Sequence, residues 1–302
     1  MKSGFISLVG RPNAGKSTLL NQIIGTKIAI VSDKPQTTRT RILGVKNVPG
    51  AQMVFLDTPG IHRPMHRMNV RMVDVALDTF RSVDVLGVVL DASERIGKGD
   101  EYVLDLVRKV KDVPIFLVLN KIDLIRKSRL LPIIDRFWQE GIFAEIIPVS
   151  ALTGESVDRL EQAIVARLPE GPALYPDDYL TDQPERVIAA EVVREKLLQL
   201  THAELPFSSA VVVDRFEEPA SDGGLLKMYC TILVDRDSQK AIVVGRGGAM
   251  VKQIGTAARE ELERFFQTKV FLDLHVSVKS DWREDDRILQ DIGVSPRMRD
   301  LE

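Results

Sequence analysis

Five short stretches of this chain hold residues whose types and spacing suit work on a phosphorylated ligand. "GRPNAGKS", Gly10 to Ser17, has the form G-x-x-x-x-G-K-[ST], follows the apolar run "FISLVG" and opens a helical pattern. Gly10 and Gly15 let the loop Arg11, Pro12, Asn13 and Ala14 curl so that backbone N–H groups, continuing to Thr18, converge on an anion at the positive end of a helix dipole. Lys16 is then set to reach the outer two phosphates of a nucleoside triphosphate, and the Ser17 hydroxyl to bind Mg2+. "DTPG", Asp57 to Gly60, ends the apolar run "MVFLD". Asp57 is expected to hold Mg2+ through water, and the Gly60 N–H to sense the terminal phosphate. In the polar segment "KPQTTRTR", Thr38 rather than Thr37 is expected to complete the metal shell.

A phosphate loop does not choose a base. That choice falls to "NKID", Asn120 to Asp123, at the end of the run "PIFLVLN", where α/β folds place ligand-contacting loops. A carboxylate at Asp123 can accept the two N–H groups on one edge of guanine, which adenine does not offer. With adenine it would stay buried and underpaired, a loss of about 1–3 kcal/mol per unmade bond. Asn120 is expected to brace two loops and Lys121 to cover the base. In "SAL", Ser150 and Ala151 offer backbone N–H groups to the guanine carbonyl. GTP and GDP are the expected ligands.

Many GTPases place a water-orienting glutamine directly after D-x-x-G. Here that residue is Ile61, which cannot orient water, so slow intrinsic turnover is expected. His62 and His66 are four apart but separated by Pro64, with no thiolate or third histidine nearby, so a metal pair is not expected.

The elements that must position these residues are legible as well. "FISLVG", "MVFLD", "VLGVVLD", "PIFLVLN" and "EIIPVS" are continuous enough to be buried parallel strands. Amphipathic stretches such as "DEYVLDLVRKV" and "SVDRLEQAIVARL" supply the crossover helices of an α/β domain over residues 1–168. Pro169, Pro172, Pro176 and Pro184 make residues 169–185 a stiff linker. A smaller domain follows over 186–280: helix "ERVIAAEVVREKLLQL", strands "SSAVVVDRF" and "LLKMYCTILVD", helix "AMVKQIGTAAREELERFF", strand "VFLDLHVSVK". Residues 281–302 read as a tail helix and extension.

At 302 residues, 44% hydrophobic and 28% charged, the chain is an ordinary two-domain globular protein, and its net charge of -2 says nothing of partners. The single cysteine, Cys230, excludes an internal disulfide framework and reads as a buried apolar residue of a reducing compartment. The N-terminal run is too short for a signal peptide, and no apolar run has the length of about 18 residues that a membrane span requires. A cytoplasmic location is expected, at most peripheral on the cytoplasmic face of the cell membrane.

A second glycine turn breaks the smaller domain at "VVGRGGAMVKQIG". Residues 186–302 carry 17 Lys and Arg against 20 Asp and Glu, yet Lys240, Arg246, Lys252 and Arg259 face no acidic residue between 238 and 259. Gly245 to Gly248 reads G-x-x-G, a turn tight enough for a nucleic-acid backbone to approach, with Arg246 at its tip.

Taken together, the stretches "GRPNAGKS", "DTPG" and "NKID" resemble the translation-factor-like GTPases, particularly the Era group, and the second part resembles a type II KH domain. The resemblance implies a P-loop GTPase domain followed by an α+β KH domain that binds RNA. Periodicity alone makes "KAIVV" a strand, whereas the resemblance implies a short helix there. It further implies that Lys240, Gly245, Arg246, Gly247, Gly248 and Lys252 hold RNA phosphates, while Val243 and Ile254 line a groove reading about four bases. Gly247 stands where lysine is frequent. Asn13 matches an asparagine that helps hold K+ beside the phosphates in related GTPases and so joins Lys16, Thr38, Asp57 and Gly60 as a catalytic residue. The implied partners are the 3′ region of 16S rRNA and the 30S ribosomal subunit, the protein acting as a monomer in subunit assembly. An alternative is a signalling GTPase at the inner membrane face, acting through protein partners in cell-cycle control. An RNA-modifying enzyme finds no support, for no nucleophile, metal cluster or methyl-donor motif is present.

Overall fold

The computed structural model describes all residues except 35–36, 62–72, 74–76, 78, 81, 202–204, 220, 222–223 and 294–302. They form two compact bodies: of the described residues, those in 1–29, 38–61 and 73–182 make one, and those in 183–293, with 30–34 and 37, make the other.

The first body is built on a six-stranded sheet of β1 (Lys2–Val9), β2 (Ile42–Val48), β3 (Ala51–Asp57), β4 (Val85–Asp91), β5 (Ile115–Asn120) and β6 (Glu145–Pro148), in the order β2-β3-β1-β4-β5-β6. All neighbours are parallel except β2, which runs antiparallel to β3 at the edge. Strands β3, β4 and β5 are buried at every position, as apolar runs covered on both faces must be. On one face, α1 (Lys16–Ile24) and α4 (Val157–Arg167) insert Leu19, Leu20, Ile23, Leu160 and Ile164 into a common core. On the other, α2 (Lys98–Val107) and α3 (Leu130–Trp138) contribute Val103, Leu104, Val107 and Phe137. Register aligns Leu8 with Asp57 and Asp91 with Asn120, so the loops leaving β1, β3, β4 and β5 emerge along one edge. The chain passes to opposite sides of β1 there, the switch point at which such sheets bind ligands.

The proline-rich segment expected as a linker lies along this first body as far as residue 182. Val45 N–H donates to Leu180 O at 2.9 Å. The buried Gln52 accepts Leu174 and Tyr175 N–H at 2.7 and 2.9 Å. Tyr175 and Tyr179 stack at 4.8 Å and pack against Leu43, Val45, Val54 and Leu56.

The second body contains α5 (Glu185–Leu200), antiparallel β7 (Ser209–Glu217) and β8 (Leu225–Val234), α6 (Asp237–Val244), α7 (Ala249–Phe266), β9 (Lys269–Val278) parallel to β8, and α8 (Asp286–Asp291). The stretch "KAIVV" is helical, as the resemblance implied and periodicity did not. The Gln239 side chain accepts Asp235 and Arg236 N–H at 2.9 and 3.2 Å, capping the helix start and overriding the β-branched preference of the following residues. Cys230 is buried in β8, and burial pushes its thiol up to about 12. Just past residue 280, Trp282 is fully buried and donates its Nε1–H to Ser208 O at 3.1 Å. Among the described residues, no helix is long and apolar enough to cross a membrane.

Candidate nucleotide site and candidate nucleic-acid turn

The loop after β1 wraps so tightly that its own groups fill its centre. Lys16 is buried, and its Nζ donates to Gly10 O and Arg11 O at 3.3 and 3.2 Å. Burial lowers the pKa of this ammonium, with the Asp57 charge acting the other way. Gly15 has φ +92°, and a Cβ there would lie 2.2 Å from Asn120 Nδ2. Asn13 is also left-handed, at φ 64°. Ala14 is buried, while Arg11, Pro12 and Thr18 are half-buried around the loop.

Three expected metal-shell residues from separate elements meet beneath this loop. Ser17 Oγ donates to Asp57 Oδ2 at 2.7 Å and lies 2.8 Å from Thr38 Oγ1, which is 3.5 Å from the same carboxylate oxygen. Thr37 is directed elsewhere, its hydroxyl donating to Lys34 O at 2.6 Å. Asp57 is fully buried, and its Oδ1 has no hydrogen-bond partner among the described residues. Burial pushes this carboxyl above its ordinary range despite Lys16 and the Ser17 and Thr38 hydroxyls. A buried, half-satisfied carboxylate beside two hydroxyls is a donor set that fits a hard divalent cation.

Gly60 sits against the phosphate loop, where a Cβ would fall 2.8 Å from Pro12 N and Cα. Ile61 is fully buried in the apolar cluster with Val9 and Phe80, and its N–H donates to Gly10 O at 3.1 Å. Its side chain therefore faces the core and not the site. His62 and His66 lie outside the described residues.

The base-side residues are locked together by one amide. Asn120 Nδ2 donates to Ala14 O at 2.9 Å, and its Oδ1 accepts Ala151 N–H at 2.9 Å, joining the phosphate loop to the "SAL" loop. Ser150 Oγ donates to Asp123 Oδ1 at 2.6 Å, a side-chain contact that spacing arguments missed. They also passed over Asp91, whose Oδ2 lies 2.6 Å from Lys121 Nζ. The available signal was a carboxylate ending the strand "VLGVVLD", next to the strand that delivers "NKID".

In the second body the turn Gly245–Gly248 joins α6 to α7. Arg246, Gly247 and Lys252 are exposed; Lys240 and Gly248 are half-buried. Gly247 and Gly248 have φ +58° and +81°, and a Cβ at either would meet nothing within 4 Å. Two expected RNA contacts need correction. Val243 and Ile254 are 0% exposed, both inside the core that α5, α7 and the sheet enclose, so neither can face a ligand. The neighbouring apolar residue that does reach the surface is Ile242, 48% exposed.

A family model described as 50S ribosome-binding GTPase matches residues 5–121, and a KH domain model matches residues 204–283. GTPase Era of Geobacter metallireducens is 51% identical over 292 residues, 97% of each chain. This chain belongs to the Era family of GTPases. GTPase Era of Heliobacterium modesticaldum is 46% identical over 298 residues, 99% of each chain. Among solved structures, Era in complex with MgGDPNP and nucleotides 1506–1542 of 16S ribosomal RNA matches with TM-score 0.93 and 41% identity, covering 98% of this chain and 100% of that one. An Aquifex aeolicus Era variant bound to GDP·AlF4− matches with the same score, identity and coverage. The P-loop GTPase domain followed by a KH domain is thus the Era architecture, and the chain is a GTPase.

Proposed function

We propose that this Era-family GTPase binds the 3′ region of 16S rRNA at its G-x-x-G turn and serves 30S subunit assembly, with GTP and Mg2+ held in the first body. The observation that carries the nucleotide half is the buried Asp57 carboxylate with one unpartnered oxygen, ringed by Ser17 and Thr38. Ser17, Thr38 and Asp57 would hold Mg2+, which would supply positive charge to the phosphates. Lys16 would exchange its two loop carbonyls for phosphate oxygens, whose charge offsets the burial that disfavours its ammonium. Gly60 N–H faces the terminal phosphate. Asp123, oriented by Ser150, pairs with the guanine edge, and Asn120 keeps both loops in register. Ile61 faces the core, so attacking water is positioned by switch backbone, by another group or by an ion, and slow intrinsic hydrolysis is expected. At the second turn, Arg246 and Lys252 meet RNA phosphates, and Gly247 and Gly248 leave room for the backbone to approach.

The test is binding of a short single-stranded RNA from the small-subunit rRNA 3′ end to wild type and Gly247→Asp, each loaded with GTP analogue or GDP. Asp tolerates the left-handed backbone at φ 58° but puts a negative charge where a phosphate would lie. Expected are at least a tenfold (about 1.4 kcal/mol) loss of affinity in the variant and nucleotide dependence in the wild type. If neither protein binds RNA, the turn is a fold element only, and signalling through protein partners becomes the better reading.

A further inference from the structure

We infer that Asp91, the last residue of β4, is a positioning residue for the nucleotide: it holds Lys121 across the phosphate loop, so that the base-side wall is in place before nucleotide arrives. The inference rests on the proposed role of Lys121 against the base.

Its warrant is geometric. β4 and β5 are parallel neighbours with Asp91 opposite Asn120, and Ala92 N–H donates to Asn120 O at 2.9 Å. The pairing therefore delivers the Asp91 carboxylate to the side of residue 121. One oxygen of that carboxylate is fixed by its own chain, since Oδ1 accepts Ser93 N–H at 2.9 Å and Ser93 Oγ–H at 2.5 Å. The other oxygen faces Lys121 Nζ at 2.6 Å. The Asp91 side chain is 3% exposed and Lys121 31% exposed, so the acceptor is rigid and buried while the lysine remains within reach of a ligand. Burial alone would push the Asp91 carboxyl up, but hydrogen bonds from Lys121 and Ser93 outweigh it and hold the group below its ordinary range. The carboxylate is thus charged at neutral pH.

Lys121 itself sits at φ 64°, ψ 37°, a left-handed conformation uncommon for a lysine. Its Cε lies 4.0 Å from the point where a Cβ on Gly15 would stand, so the aliphatic stem already crosses the phosphate loop. A free lysine loses rotamer entropy when it is ordered. Asp91 imposes that ordering during folding instead of during binding, which is preorganisation in the thermodynamic sense. The β4–α2 loop and the first turn of α2 also grip the far side of the phosphate loop: Asp100 Oδ1 lies 3.3 Å from Arg11 Nε, and Glu94 pairs with the same guanidinium. The two grips place residues 91–100 as a brace shared by Lys121 and Arg11.

Asp91→Asn separates this role from a merely structural ion pair, because the amide oxygen can still accept from Ser93 while the charge facing Lys121 is lost. The measurement is the dissociation rate of labelled GDP from the full-length protein, with the melting midpoint of the nucleotide-free protein recorded alongside. Expected is release about tenfold faster in Asp91→Asn, as in Lys121→Ala, with the double variant no faster than Lys121→Ala alone. Should Asp91→Asn fold poorly, Ser93→Ala loosens the carboxylate while keeping its charge, and a two- to threefold faster release is expected. If Lys121→Ala leaves release unchanged, the reading of Lys121 against the base fails. If Lys121→Ala speeds release but neither Asp91→Asn nor Ser93→Ala does, or the double variant is additive, the brace is overturned and the site reading stands.

Discussion

The two glycine turns of this protein look alike as text and differ in what demands their glycines. In the phosphate loop the demand comes from within: a Cβ on Gly10 would meet Val89 O at 2.4 Å, and one on Gly15 would meet Asn120 Nδ2 at 2.2 Å. In the second turn Gly247 and Gly248 border open space, and only Gly245 packs closely, against Met250. The first turn is a set of interlocked parts, including the buried charges of Lys16 and Asp57. The second leaves open space over Gly247 and Gly248, where a partner could approach. A glycine required by its own fold and one that leaves room for a partner are thus told apart by space, not by motif.

The most direct way to break this comparison is Gly15→Ala. A Cβ overlapping the Asn120 amide in a left-handed residue should destabilise the first body by about 3 kcal/mol and remove nucleotide binding, read by thermal melting and GDP titration. Gly247→Asp, by contrast, should shift the melting midpoint by less than about 2 °C. Equal destabilisation by both would erase the distinction.

The buried charges sharpen it further. The Asp57 carboxyl is held above its ordinary value, so it contributes stability that is full below the unfolded-state pKa of about 4 and is lost as pH rises through the folded value. Asp57→Asn should therefore raise the stability of the nucleotide-free, metal-free protein at neutral pH, flatten its pH dependence above pH 4, and abolish the gain in melting temperature that Mg2+ with GDP gives the wild type. Urea midpoints between pH 4 and 8, with and without Mg2+ and GDP, check all three. A variant less stable than wild type in the absence of ligand would show that Asp57 is not held at a cost.

In the second body a further contrast lies within two turns of helix from the G-x-x-G. Ile254→Ala, a core deletion, should lose about 2–4 kcal/mol of stability, whereas Ile242→Ala at the surface should lose less than about 1 kcal/mol. Denaturation measures the first effect, and RNA titration of the folded variants the second. Loss of RNA affinity in Ile254→Ala without loss of stability would reverse the correction of that residue's role.

Much of both sites was legible because their geometry is local. A loop of eight residues between a strand and a helix can only curl one way around an anion, and the apolar runs of β3, β4 and β5 required burial on both faces. The helix Asp237–Val244 was less legible: its side chains prefer strand, and the cap from Gln239 back to Asp235 and Arg236 decided otherwise. Val243 and Ile254 were misplaced because apolar residues beside a glycine turn suit a groove lining and a core equally well. Only their position relative to α5 and the sheet distinguishes the two.

By itself the sequence determined the kind of chemistry: a phosphate loop, a guanine-reading quartet and a metal-binding carboxylate are each spelled within a few residues, since a rigid short loop encodes its own shape. The tertiary structure decided how those parts hold each other. Asn120 bridging Ala14 and Ala151, Ser150 orienting Asp123, Asp91 holding Lys121, and Gln52 fastening the proline-rich segment join residues from about 27 to more than 120 positions apart. Such contacts depend on strand order and register. Those are properties of the whole packed sheet, so no short stretch of the chain carries them.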